Sequence, residues 1–167
     1  PELNIIRTRD INSNYVCGSN NSYENLVNLV SRFDLECVKC GIIIDKDQNS
    51  QLYIQSTSPR FIFEKIAKIS LNGLQLNSLY SILARLYKYK LKGYHIDPEN
   101  GPLCKAKAAV TDISLDDLCS YKNLGKKGDS EFIEKYNIAS GTVSKFEDKF
   151  GNNQFTYNEI INEVVYG

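Results

Sequence analysis

Oxygen-bearing side chains recur at every second residue in Asp45, Asp47 and Asn49, at the head of a polar stretch that runs to Gln51. Oxygen donors at positions 1, 3 and 5 of a twelve-residue loop suit a hard cation such as calcium, with a sharp turn at position 6 and a bidentate Glu at position 12. Counted from Asp45, position 12 is Ser56, which is too short to supply two oxygens. A second run counts from Asp148, with Asn152, Asn153, Thr156 and Glu159 at positions 5, 6, 9 and 12, but its position 3 is Phe150. Each lost ligand removes charge and coordination number, the two quantities that set calcium affinity. Asp45, Asp47 and Asn49 are therefore read as a weak or vestigial calcium site, and no other cofactor is expected.

The remaining constellations are thinner. Cys37 and Cys40 form half of a zinc knuckle, yet four ligands are needed, there is no second Cys-x-x-Cys, and His95 is the only histidine. Both cysteines are read as structural thiols. His95 has Asp97 and Glu99 nearby but neither a nucleophile nor a glycine-rich phosphate loop, so an exposed loop histidine is expected. The segment from Lys135 to Phe146 has the cadence of a helix-turn-helix core, with Asn137 at the turn and Val143 packing the second helix. As a DNA-binding unit over residues 129–150 it would present Glu147 and Asp148 to phosphates, which disfavours it. Tyr80, Tyr87, Tyr89 and Tyr94 suit helix surface and packing better than a platform for stacked bases.

These residues must be positioned by local elements. Tyr23, Leu26, Val27, Val30 and Phe33 recur at helical spacing behind cap residues 19–21. Cys37 to Ile44 fits a strand or a short buried helix, and Leu52 to Ile54 follows the polar stretch. Ser58 and Pro59 open a helix that leads into Phe61, Ile62, Ile66 and Ile69. Leu76 to Leu91 is amphipathic, with Leu79, Ile82, Leu83, Leu86 and Tyr87 on its stripe. Turn formers from Gly93 to Pro102 predict a long loop, and helices are predicted at about 114–124, 129–136, 141–150 and 157–166.

Two weaker loops complete a pattern. Asp10, Asn12 and Asn14 stand at positions 1, 3 and 5 of a loop whose position 8 is Cys17, and Ile113 and Asp117 suit positions 8 and 12 of another that begins on Ala106, Ala108 and Val110. With Cys17 facing Leu52 and Ile113 facing Phe155, the four loops fall in the order found in calmodulin and the myosin light chains. Leu124 to Lys127 also looks like the calmodulin inter-hand linker. The chain thus resembles the calmodulin-like EF-hand superfamily over nearly its whole length, most closely the ligand-poor myosin light chains of apicomplexans. Extra residues around 93–102 and between Leu124 and Gly141 depart from that pattern.

The resemblance implies an all-α fold of four ion-poor helix-loop-helix units in two lobes, 1–70 and 93–167, joined by a helix over 71–92. The only strands would be short pairings between loops. It further implies a calcium-independent clamp on a basic amphipathic helix of a myosin heavy chain. Leu26, Val30, Phe33, Phe61, Phe63 and Ile66 would line one groove. Leu115, Leu118, Phe146, Phe150, Ile160 and Val164 would line the other, with Glu147, Asp148, Glu159 and Glu163 as its acidic rim.

Bulk properties bound these readings. The 167 residues are 42% hydrophobic with 11 Tyr and 7 Phe, enough to bury a sizeable core. Twenty basic residues balance twenty acidic ones, so the basic excess of a nucleic-acid or polybasic membrane binder is absent. Five unevenly spaced cysteines predict free thiols in a reducing compartment, hence a cytoplasmic location. Apolar runs are too short to span or insert into a membrane. The chain opens on Pro1 without any Met, and a longer parent protein is expected. No catalytic activity is expected.

Overall fold

The computed structural model describes residues 21–44, 46–110, 145–146, 148–150 and 155–167. Its axis is helix α4, Leu79–Leu91, capped by Ser78, whose hydroxyl accepts the Ser81 N–H at 3.1 Å. Leu79, Tyr80, Ile82, Leu83, Ala84 and Leu86 are all buried. Apolar residues at so many consecutive positions leave no polar side over the first two turns, so the helix must be covered all round. Leu35, Ala67 and Ile69 supply one side of that cover, and Phe146, Phe150, Ile160, Ile161 and Val164 another, in one continuous core. The aromatic side of the cover is built from edge-on rings. Phe146 meets Tyr80 at 5.3 Å and Tyr87 at 6.0 Å, and Phe150 meets Tyr87 at 5.5 Å between centroids.

Helix α1, Ser22–Ser31, begins at Asn21, whose side chain accepts the Tyr23 N–H. A 3-10 turn at Glu36–Val38 then leads into strand β1, Cys40–Ile44, which pairs antiparallel with β2, Ser50–Ile54. A Cβ at Gly41 would come within 2.6 Å of Leu26, so α1 lies directly on this hairpin. Helix α2, Pro59–Phe63, starts with proline in its first turn. Strand β3, Ile66–Ala67, runs parallel to β4, His95–Ile96, with helix α3, Leu71–Leu76, and α4 between them in sequence. Helix α5, Asn100–Val110, follows. Residues 145–146 and 148–150 are helical, and α6, Tyr157–Ile161, continues as a π-helical turn through Tyr166.

The fold is therefore mixed rather than all-α, and it corrects the EF-hand expectation at three of the loops. Asp45 lies outside the described residues, but the segments flanking the second loop are β1 and β2 instead of entering and exiting helices. Leu52 pairs with Ile42 of the same hairpin, so it is not the contact to a sister loop. Ser56, the position-12 residue, lies with its hydroxyl 3.1 Å from the buried carboxylate of Glu36, which also accepts the Thr57 N–H at 2.7 Å. At the third loop, positions Ala106 to Val110 belong to α5. At the fourth, Thr156 and Glu159 are the N-cap and third residue of α6 and bond reciprocally as a capping box. The first loop, with Cys17, lies outside the described residues. Among the described residues the buried apolar side chains form one core that includes α4, within the segment 71–92 read as a linking helix. The predicted long loop at 93–102 also holds β4 and the start of α5.

Candidate functional site

Because side chains alternate across a strand, the β1–β2 hairpin has two faces. Gly41, Ile43, Gln51 and Tyr53 share the one that meets α1, where Leu26 fills the space above Gly41 and the Tyr23 ring stands edge-on to Tyr53 at 5.6 Å. On the other face Ile42 sits directly opposite Leu52, next to Ile44. These three are 62%, 60% and 69% exposed, although aliphatic residues on a sheet normally face a core. Cys40 and Ile54 continue that face towards the core and are half-buried. Among the described residues no third strand joins the hairpin. The three side chains form a contiguous exposed apolar face.

The grooves expected from the sequence are otherwise occupied. Phe146, Phe150, Ile160 and Val164 all lie fully buried in the core that includes the chain's own α4. Leu115 and Leu118 lie outside the described residues. In the other set, Val30 is buried, Leu26 packs on Gly41, Phe33 is half-buried, Phe61 lies under the Lys68 ammonium at 5.6 Å, and Ile66 belongs to β3. Phe63 alone of the six is open, at 72% exposure. The acidic rim is also partly engaged within the chain. Glu159 holds its own helix cap, and Glu163 lies 3.3 Å from Lys149. Glu147 lies outside the described residues, and Asp148 is exposed.

Among the described residues the chemistry-bearing side chains named above are dispersed. Asp47 and Asn49 stand on the hairpin loop, exposed, and among the described residues no group of His, Cys, Asp or Glu side chains has a metal-holding arrangement. Burial pushes the Cys37 and Cys104 thiols up to about 12, far from a nucleophile's range. His95 is exposed on β4. Of the helix-turn-helix segment 129–150, the described part contributes Phe146 and Phe150 to the core.

Sequence reasoning overlooked the buried polar contacts. Asn100 is fully buried: its carbonyl oxygen accepts the Ile69 N–H at 2.9 Å and its amide donates to the Ala67 carbonyl at 2.8 Å. It thereby extends the edge that pairs with β4, where the Ala67 carbonyl also accepts the Asp97 N–H at 3.1 Å. Its position in a turn-rich segment gave no hint of this. Asp34, within what reads as a short polar break, is fully buried and meets Arg85 of α4.

Comparison with known proteins supplies no family: no family model, no curated protein and no solved structure matches the chain. Among the described residues no helix is long and apolar enough to cross a membrane.

Proposed function

We propose that this protein is a non-catalytic binding module that takes an amphipathic helix of a partner protein across the open face of the β1–β2 hairpin. The observation that carries the reading is the exposure of Ile42, Ile44 and Leu52 on the face opposite α1. Two paired strands form a strip about 10 Å wide, the diameter of one helix with its side chains. Helix α1 already covers the reverse face in this manner, through Leu26 and Tyr23. A partner helix with apolar residues three and four apart would complete a three-layer helix–sheet–helix arrangement. A myosin heavy chain as the partner rested on the EF-hand arrangement and loses that support; the amphipathic helix remains. The free, buried thiols of Cys37 and Cys104 fit the reducing environment of the cytoplasm.

The test uses baits that differ only on this face. A photoreactive residue at position 44 should cross-link to a helical segment with apolar residues at that spacing. Ile42→Ser/Leu52→Ser should lose the partner while melting at the wild-type temperature. Cross-links to a non-helical segment, retention by the double variant, or self-association through the same face would overturn the reading.

A further inference from the structure

The backbone of the β1–β2 hairpin divides by strand parity. In an antiparallel pair, opposite residues alternate between those that exchange both hydrogen bonds and those that exchange none. The Gln55 N–H donates to the carbonyl of Lys39, next in register across from it, at 2.9 Å, which fixes the phase. Gly41 with Tyr53 and Ile43 with Gln51 therefore bond to each other. Ser50, Leu52 and Ile54 of β2 turn their N–H and C=O groups outward. Among the described residues nothing pairs with that outward row.

Edges of this kind are normally blunted by lysine, proline or a bulge. Strand β2 has none of these. Its register is continuous, it holds no proline, and no charged residue stands between Asp47 and Arg60. Helix α1 lies on the face of the hairpin, with Leu26 above Gly41 of β1, while Ser50, Gln51 and Leu52 of β2 are all exposed. A two-stranded hairpin is marginal alone, and further strands stabilise it.

We infer that β2 pairs along this edge with β2 of a second copy of the chain, antiparallel about a twofold axis at Leu52. The outward row is its own complement. Leu52 falls opposite Leu52 of the copy and Ser50 opposite Ile54, so three residue pairs exchange about six hydrogen bonds. An uncharged edge gives no electrostatic selection of a foreign strand, whereas pairing with itself brings no like charges together. Ile54 leads towards the core and Ser50 into the loop, so an antiparallel copy sets its own core at the far end of the sheet. The two α1 helices, each resting on β1, would stand three strand spacings apart, about 14 Å, wider than the ~8–10 Å between packed helices. The pairing uses the edge and leaves the face of Ile42, Ile44 and Leu52 open, so it does not depend on the helix-binding reading. A single strand pair lies at the small end of protein interfaces, and the dimer should be reversible.

Sedimentation of the full chain should show a monomer–dimer equilibrium between about 10 μM and 1 mM. Amide exchange reads the register. The Leu52 N–H should become protected in step with dimer formation, while those of Gln51 and Tyr53 are protected throughout and that of Ile42, on the other edge, stays fast. Leu52→Lys and Leu52→Glu, at a position 60% exposed, should each weaken self-association about tenfold, and an equal mixture of the two should restore it. Ile42→Ser/Leu52→Ser empties the face but keeps the edge, and should self-associate within about fivefold of wild type. The inference fails if wild type stays monomeric at about 1 mM, if Leu52 gains no protection on association, or if the charged variants associate no better mixed than apart. It also fails if the double Ser variant is monomeric, since the copies would then meet through the face.

Discussion

Arg85, in the middle of α4, places Nη1 2.6 Å from Oδ1 of Asp34, which lies 51 residues earlier in the turn after α1. Asp34 is fully buried, and its second oxygen, Oδ2, has no hydrogen-bond partner. The turn is further fixed by a close approach, since a Cβ at Gly73 would come within 2.0 Å of the Asp34 Cα. The pair thus ties the α1–hairpin unit to the core helix.

Breaking the pair from either side should have unequal results. Arg85→Met leaves a buried carboxylate with only the more weakly acting Lys39 as countercharge and should cost about 3 kcal/mol. Asp34→Asn leaves only a part-exposed guanidinium and should cost about 1 kcal/mol. Burial raises the Asp34 carboxyl above its usual 3.8, outweighing the opposing effect of Arg85. The folded state therefore holds this proton at a higher pH than the unfolded chain does. The resulting stability is fully present below about pH 3.8 and is lost as pH rises through the folded value. Urea unfolding at several pH values should show wild type losing stability relative to Asp34→Asn as pH rises; a constant or opposite difference would contradict this.

Asn100 offers a second pH-dependent test. Asn100→Leu leaves the Ile69 N–H without its partner and the Ala67 carbonyl with the Asp97 N–H alone, at a cost of about 1–3 kcal/mol at any pH. Asn100→Asp keeps the acceptor but sets an oxygen against the Ala67 carbonyl, which disfavours the ionised form and raises the new carboxyl. Its stability should be present at low pH, where the protonated acid donates to Ala67, and lost as pH rises through the raised folded value. Denaturation near pH 7 and again near pH 4 should show partial recovery for the Asp variant and none for the Leu variant.

Phe146 and Phe63 should respond in opposite ways to truncation. Phe146→Ala removes a ring packed on Tyr80, Tyr87 and Phe150 and should cost about 3–5 kcal/mol. Phe63→Ala, on an exposed residue, should stay within about 0.5 kcal/mol of wild type. If Phe146→Ala unfolds at the wild-type denaturant midpoint, α4 is not held by this aromatic cover.

The thiols should divide by burial. In the native protein Cys37 and Cys104 should resist iodoacetamide at about pH 8, since only the thiolate is alkylated and burial holds both thiols up at about 12. Unfolding should expose both. Peptide mass mapping after a short pulse would show this, and rapid native labelling of either would count against the packing around it.

Much of the helical framework was legible in the sequence. The stripe of Leu79, Ile82, Leu83 and Leu86 marks α4, the Ser58–Pro59 pair marks the start of α2, and the apolar spacing from Tyr23 marks α1. Each signal is local, because periodicity and end residues act within one or two turns. The hairpin was visible only as an unresolved choice for Cys37 to Ile44, since a short β-branched run fits a buried helix equally well.

What misled was spacing shared by two kinds of chemistry. A Thr with a Glu three residues later suits calcium positions 9 and 12, but it is equally the N-cap and third residue of a capping box, as Thr156 and Glu159 are in α6. Alternating Asp and Asn residues at 45–49 suit a cation, yet Asp47 and Asn49 stand in the loop that closes a hairpin. Local pattern marked the starts of α1, α2 and α4 but not α3 or α5, and it grouped Phe146, Phe150, Ile160 and Val164 in one apolar set. That this set packs on the chain's own α4 emerges only in the folded arrangement, because burial is non-directional and an apolar stripe does not specify which surface covers it. The same holds for Ile42, Ile44 and Leu52: their alternation sets the face they share, and the placement of α1 on the reverse side is what leaves that face open.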